Sequence, residues 1–466
     1  MSDRPSYIAN TKPNAPENRA PWYKNTAPAY AGILLWFVFW TMVSSNNLVN
    51  GLVVPIAAII TGALVCHFFF YLSAGMFGMK TGLPLAVIGS SIFGEKGGIV
   101  MPGLLMGVLQ FGWVAVNCIG AAAVAPHFGI PAWAFIVVWG GLATFIGLKG
   151  IKYVAGISTY LPLVPLAVLV ALLATTICNV GKFDPKILTD PASVLQGIKV
   201  AAAPAADNAS IFMAIVGAFV AFFATAGAAG VDFGTGSRNA KDVQMGGLIG
   251  VAGMMIFTTV IAVLAIAGAF ADPETAKRIA ESTAKAAAEN GQPDLGFGGV
   301  TAGSILGALF GEQWGQWRVV ALALAAFPSA CFSSLIAANS FKTMLPKINS
   351  GVSVAVGGLA AILLAVCLQS QANAIINVLN IIGVSFGPIC GAIFVEYFLC
   401  KGEWSGPRKG FNPAGWLAWA VGFGVGILPN FGVCEIPMTP VVTFAIGAVV
   451  YFVAMILGLK SANVEK

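Results

Sequence analysis

Gln110, Trp113 and Asn117 follow one another at spacings of three and four residues inside an apolar stretch. On a helix that spacing puts the three side chains on one face. An indole offers a flat surface for stacking, and a Gln amide offers both a donor and an acceptor. Together they suit a planar, uncharged heteroaromatic ring. The competing reading is structural: a Trp packed on neighbours or lipid, with Gln bonding between helices.

Two further groups have chemical potential. Phe219, Phe222 and Phe223 form an aromatic stripe that reads first as core; Phe223 differs in directly preceding the small-residue run 224–230. Ala330-Cys331-Phe332-Ser333-Ser334 combines a potential free carbonyl with two hydroxyls, the hard oxygen ligands that a small cation needs. The alternative is that such hydroxyls bond back to the carbonyl four residues earlier. Ionisable residues are missing from mid-span, with Asp232, Lys342 and Glu396 at inner ends within reach of water. Charge in a membrane interior is costly and usually functional. Its absence suits a neutral solute, argues against a proton relay, and leaves Na+ held by neutral oxygens as the simpler coupling ion. The eight Cys include no CxxC pair and read as small buried hydrophobes, while His67 and His127 lie far apart. Neither set suggests a disulfide framework or a metal site.

The elements that position these residues follow from composition. Of 466 residues, 58% are hydrophobic and 9% charged. A soluble domain carries roughly 25% charged residues, so a water-soluble enzyme and a disordered chain are both excluded. Stretches of about 20 apolar residues span a bilayer. Twelve are present, at 29–49, 52–76, 98–125, 130–148, 156–179, 210–231, 246–271, 318–341, 352–369, 373–400, 413–431 and 438–459. The fold expected is an all-α polytopic membrane protein. With both ends placed inside, 17 of 24 Lys and Arg fall on inner segments and the other 7 in two long outer loops, 181–209 and 272–318. That agrees with the positive-inside bias. Residues 1–28 are polar and Pro-rich and read as a cytoplasmic tail, not a signal peptide. Residues 274–289 read as a short solvated outer helix, with an external lid as the alternative.

Binding at the midplane calls for interrupted helices. Span 1 carries the polar run 41–47, Thr-Met-Val-Ser-Ser-Asn-Asn, and span 6 the run 224–230. Spans 1 and 6 would open the two halves of a five-plus-five inverted repeat. The core would then be 29–400, with two extra C-terminal helices in 401–466.

Three motif sets recur in a telling order. Gln110-Phe-Gly-Trp113 is preceded by Thr81-Gly82-Leu83 and Phe93-Gly94-Glu-Lys-Gly97. Phe223-Ala-Thr225-Ala-Gly227 is followed by Asp232-Phe233 and Arg238-Asn239-Ala240-Lys241. Gly387-Pro388-Ile-Cys-Gly391 precedes Glu396-Tyr397. In this order they resemble the nucleobase:cation symporter-1 family, and within it the cytosine permeases. The resemblance implies that Gln110 hydrogen-bonds a base, Trp113 stacks on it, Phe223 opposes it, and Thr225 is a polar contact. It also implies a Na+ site from the Ala330 carbonyl and the Ser333 and Ser334 hydroxyls. Span 1 would add the carbonyls of Thr41 and Ser44, with Ser45 near the solute. Two departures, Ala330 where cytosine permeases have Asn and a Ser pair in place of a Thr pair, leave the particular base open.

The expected function is a secondary active transporter importing a neutral nucleobase, cytosine first, by symport with Na+. Alternatives on the same architecture are a purine, a hydantoin- or allantoin-like ring, hydroxymethylpyrimidine, an amino acid, or H+ as the coupling ion. A multispan membrane enzyme would need acidic metal-binding pairs or a nucleophile–base set, and the carboxylates here are scattered and single. The partners expected are the solute and the bilayer of the cell membrane. Nothing implies a cofactor, a nucleic acid or a protein partner.

Overall fold

A computed structural model of the chain describes residues 5–34, 40, 42–122, 124–195, 200–289, 296–371 and 374–464. Among them there is no β-strand; only three isolated bridges occur, Ala20–Ser237, Ser44–Thr301 and Arg408–Asn463. Eleven described helices are long and apolar enough to cross a membrane. The segment expected as the first span begins with α1, Thr26–Leu34. Thr41 lies outside the described residues. Residues 42–44 are not helical, and a short turn, Ser45–Leu48, follows. Ser and Asn side chains compete for backbone groups there: the Ser44 N–H donates to Asn47 Oδ1 at 3.0 Å.

The remaining spans are α2 Val53–Thr81, α3 Ile99–Ala122, α4 Ala132–Lys149, α5 Leu163–Lys182, α6 Asn208–Ala228 and α7 Ala240–Phe270. After them come α8 Ile305–Met344, of which Ala323–Met344 spans, α9 Gly351–Leu368, α10 Ile375–Leu399, α11 Pro413–Phe431 and α12 Thr439–Ile456. The break expected within 224–230 is displaced to its far end. α6 is helical through Ala228, Ala229 is a turn, and a separate helix runs Gly230–Thr235. Small residues alone do not unwind a helix whose backbone bonds are intact. Their role is close approach: Gly78 of α2 faces the Val231 carbonyl and Gly234 faces the Gly75 backbone, where a Cβ would collide.

Packing shows the repeat. α3, α4, α8 and α9 all pack on one another, while α2 packs on α6 and α7, and α1 on α7. Exchanging helix n for n + 5 maps the 2–6 contact onto 7–1 and 3–9 onto 8–4. It also maps 5–7 onto 10–2 and 5–8 onto 10–3. This is the five-plus-five inverted plan, with α11 and α12 packed on α10 as additions.

Both ends of the chain lie on one face. The Asn14 N–H donates to the Gly82 carbonyl and Ala20 N–H to Gly236, each at 2.9 Å; Arg19 Nη1 donates to the Met79 carbonyl at 2.8 Å. Residues 5–25 are therefore a strap docked across the ends of α2 and the Gly230–Thr235 helix. Lys80 pairs with Glu403 at 3.0 Å, and Val464 N–H donates to the Pro407 carbonyl at 2.9 Å, bringing the C-terminal segment to the same face. On the opposite face Asn50 Nδ2 donates to the Ala206 carbonyl at 2.8 Å. The helix Pro273–Glu289 is half-solvated: Ala276, Ile279 and Ala280 are buried where it packs on α7 and α8.

Two other expectations change. All eight Cys are free, but Cys178, Cys367 and Cys434 are exposed, at or beyond span ends. Glu396 is not reached by water. It is fully buried and satisfied by Arg408 Nη2 (3.2 Å), Ser405 Oγ (2.7 Å) and Tyr451 OH (2.9 Å). A buried carboxylate needs such partners.

Candidate functional site

Four helical elements converge on one small, partly open cavity. α1 contributes Ile33, α3 contributes Gln110 and Trp113, α6 contributes Phe222 and Thr225, and α8 contributes Ser329, Phe332 and Ser333. Phe233, just past the Ala229 turn, closes it. Its lining includes no ionisable side chain.

The indole Nε1 of Trp113 donates to Thr225 Oγ1 at 3.0 Å, joining α3 to α6. Phe222 meets the same indole edge to face, with centroids 4.9 Å apart. Across the cavity Phe233 and Phe332 stack at 5.9 Å, 7° from parallel. Gln110 is 4% exposed, and its Nε2 donates to Met106 Sδ at 3.3 Å. A thioether is a weak acceptor, so the amide retains hydrogen-bonding capacity for a better partner. The cavity thus offers flat aromatic surfaces, one amide and three hydroxyls.

Gln110, Trp113 and Thr225, expected at the solute, line one cavity with Ser333, expected at the cation site, while Phe223, Ser44, Ser45, Ala330 and Ser334 lie outside its lining and Thr41 outside the described residues. Asn117 does not reach the cavity; its Nδ2 donates to the Trp113 carbonyl at 2.7 Å, one turn away. Phe223 is fully buried outside the lining and packs against Tyr30, centroids 5.8 Å apart. The reason is helix continuity. With 3.6 residues per turn, consecutive residues point about 100° apart, and Phe222 rather than Phe223 shares a face with Thr225, Ala226 and Ala229. Ser45 is also fully buried away from the cavity. Its hydroxyl donates to the Phe297 carbonyl and accepts from Val300 N–H at 3.0 Å, and its own N–H donates to the Val300 carbonyl at 2.8 Å. Ser44 bridges to Thr301. Both therefore fasten the end of the first span to the loop before α8.

In the cation-site candidates, Ser333 faces the cavity and Ser334 does not. Ser334 Oγ donates to the Ala330 carbonyl at 3.1 Å, the back-bonded arrangement, beside Gly147 of α4. Ser329, one turn before Ser333, was not singled out from the sequence; its i, i+4 spacing to Ser333 is the signal that identifies it. Among the described residues no group of three His, Cys, Asp or Glu side chains could hold a metal ion.

The cavity adjoins a second space on one face. It shares Ala229, Phe233, Phe332 and Ile336 with a larger space of about 970 Å3 that reaches Asn339, Ser340 and Met344 on the side of the N-terminal strap. A space of about 1070 Å3 on the opposite side, lined by Met42, Asn47, Asn380 and Thr439, shares none of its lining. Asp232, outside the spans, lines the strap-side vestibule and accepts the Leu85 N–H at 2.9 Å. Asp232 is exposed to the vestibule, yet desolvation by the surrounding chain pushes its carboxyl up to about 6, against the opposing effect of that N–H.

Comparison with known proteins bears on this geometry. A family described as permeases for cytosine/purines, uracil, thiamine and allantoin matches residues 13–454. No curated protein sequence matches the chain. Among solved structures, Mhp1, a nucleobase-cation-symport-1 family transporter, matches in a closed conformation with bromovinylhydantoin bound. The match has 15% identity, 96% of this chain and 94% of that one covered, and a TM-score of 0.62. Its inward-facing conformation matches with 15% identity, 98% and 96% covered, and a TM-score of 0.61. A Na+-coupled sialic acid symporter in a substrate-bound outward-open state matches with 15% identity, 99% and 95% covered, and a TM-score of 0.60. With the family match running through nearly all of the chain, the protein belongs to the family of permeases for cytosine/purines, uracil, thiamine and allantoin, and is a membrane transporter and not an enzyme.

Proposed function

We propose that the protein imports a neutral, planar nucleobase, cytosine first, together with Na+, across the cell membrane. The observation that carries this reading is the uncharged cavity in which Trp113, Phe222, Phe233 and Phe332 surround the Gln110 amide and the Thr225 hydroxyl. Stacking on such rings contributes about 1–3 kcal/mol per base. Gln110 reads the hydrogen-bonding edge, exchanging a weak sulfur acceptor for a ring nitrogen or carbonyl. The Trp113–Thr225 bond holds the indole in place for the ring. Bromovinylhydantoin in Mhp1 is likewise a flat ring solute.

For the cation, the Ser333 hydroxyl, the Ala330 carbonyl and Ser334 provide neutral oxygens on α8, with Ser334 turning from its back-bond. Thr41 and Ser44 remain the span 1 candidates of the sequence; Ser44 is engaged with Thr301 in this conformation. Cation binding that draws α1 and α8 together favours one conformation, and this differential affinity couples ion to solute. The positive-inside bias assigns the face carrying both termini to the cytoplasm. The test is uptake of labelled cytosine into cells or proteoliposomes, with competing purines, hydantoins, allantoin and hydroxymethylpyrimidine. Uptake inhibited by cytosine and lost when choline replaces Na+ at constant pH supports the reading; uptake blocked only by another ring, or indifferent to Na+, overturns that part of it.

A second coupling ion has an observation of its own. Asp232 lines the vestibule with a carboxyl pushed up to about 6, so a proton is available there near neutral pH. Uptake driven by an imposed pH gradient in the absence of Na+, and abolished in Asp232→Asn, distinguishes H+ from Na+.

A further inference from the structure

At the ends of α10 and α12, on the face of the N-terminal strap, lies an open cavity. It shares no lining residue with the transport cavity or its vestibule. Its polar wall is built on the buried Arg408, which is 4% exposed. Glu396 neutralises the Arg408 charge, and Arg408 Nε is buried with no acceptor among the described residues. Lys460 lines the same cavity, is exposed, and has no ion-pair partner among the described residues. Lys409 is brought alongside by its N–H, which donates to the Ala462 carbonyl at 2.9 Å. The nearby Glu403 is paired with Lys80. Glu95, whose carboxylate accepts the Gly410 N–H at 3.4 Å, offsets part of the Lys409 charge, and the residual charge at this rim, carried by Lys460 in the lining and Lys409 beside it, is positive.

The other wall is apolar and faces outward from the helices. Leu399 and Ile456 line the cavity and are 38% and 65% exposed. Both sit at the last turn of a spanning helix, where acyl chains meet headgroups. A cationic pocket against such a wall fits an amphiphile better than a free anion. Basic pockets between spanning helices at a membrane face hold anionic lipid heads by the same physics.

We propose that this cavity binds the phosphate headgroup of an anionic glycerophospholipid. The phosphate lies between Lys409 and Lys460, and its chains run along Leu399 and Ile456. The lipid ties the α10–α11 loop and the C-terminal segment to the leaflet on the strap side, independently of the solute.

The test is native mass spectrometry of the delipidated full-length protein, titrated with phosphatidylglycerol, phosphatidylcholine or inorganic phosphate. The proposal predicts adducts with phosphatidylglycerol in preference to phosphatidylcholine, and none with inorganic phosphate at the same concentration. Lys460→Gln and Lys409→Gln, both surface changes, each weaken phosphatidylglycerol binding about fivefold, whereas Lys186→Gln on the opposite face changes nothing. Equal binding of the two lipids, or undiminished binding in the double Lys variant, overturns the site. Inorganic phosphate adducts with the same Lys dependence overturn the lipid and assign a free anion instead.

Discussion

The indole of Trp113 and the hydroxyl of Thr225 are joined at 3.0 Å, across the boundary between the α3–α4–α8–α9 group and the helices that pack around α2. The contact links the two groups at the floor of an uncharged cavity. A solute seated against Trp113 therefore touches both at once. That is the arrangement through which solute occupancy can bias their relative position.

Phe222 and Phe223 separate ring binding from core packing. Phe222→Ala removes an aromatic wall of the cavity and is expected to weaken cytosine binding by about 5- to 100-fold. Phe223→Leu, remote from the lining, is expected to leave affinity within about twofold while lowering thermal stability. Isothermal titration and melting curves on the two variants check this; the reverse pattern would place Phe223 in the site.

The contrast between those two residues also shows what the sequence can and cannot reveal. Gln110 and Trp113 were legible because their i, i+3 spacing fixes a common face on any helix. The spans were legible because apolar length is dictated by the bilayer. Phe222 was not, since its orientation depends on α6 staying helical to Ala228, which a small-residue run disguises. Ser45 and Glu396 were misplaced for a related reason. Their partners, Phe297 and Val300 for one and Arg408, Ser405 and Tyr451 for the other, come from other parts of the chain, and spacing along one helix carries no trace of them.

Ser333 and Ser334 are adjacent but differently employed. Ser333→Ala is expected to raise the Na+ concentration for half-maximal uptake at least tenfold, the loss of a hydroxyl to a charged partner being about 1.5–3 kcal/mol. Ser334→Ala, whose hydroxyl is bonded to the Ala330 carbonyl, is expected to have the smaller effect. Na+ titrations of uptake at fixed cytosine check the order, and an unchanged Na+ dependence in Ser333→Ala would remove that residue from the cation site.

Asp232 has its carboxyl raised from an ordinary 3.8 to about 6. Between those values the folded chain keeps a proton that the unfolded chain has released, so stability falls as pH rises through that window. Asp232→Asn cannot ionise and is expected to flatten this part of the profile. Melting temperatures of the two proteins from pH 4 to 7 measure it, and parallel profiles would refute the assignment.

Glu396 and Arg408 form a buried pair at 3.2 Å. Glu396→Gln leaves the guanidinium buried without a counter-charge, a change that costs about 3–5 kcal/mol. A double change to Gln and Leu at 396 and 408 removes both charges and is expected to recover part of the loss. Melting in detergent reads both effects; a single variant as stable as the parent would contradict the burial.

Equilibrium binding of cytosine to purified protein, parent against Trp113→Ala, addresses the uncharged ring site itself. Loss of the indole is predicted to weaken binding by about 5- to 150-fold, the range that corresponds to about 1–3 kcal/mol of stacking. Undiminished affinity in Trp113→Ala would contradict it, because no flat solute held against that indole can lose it without cost.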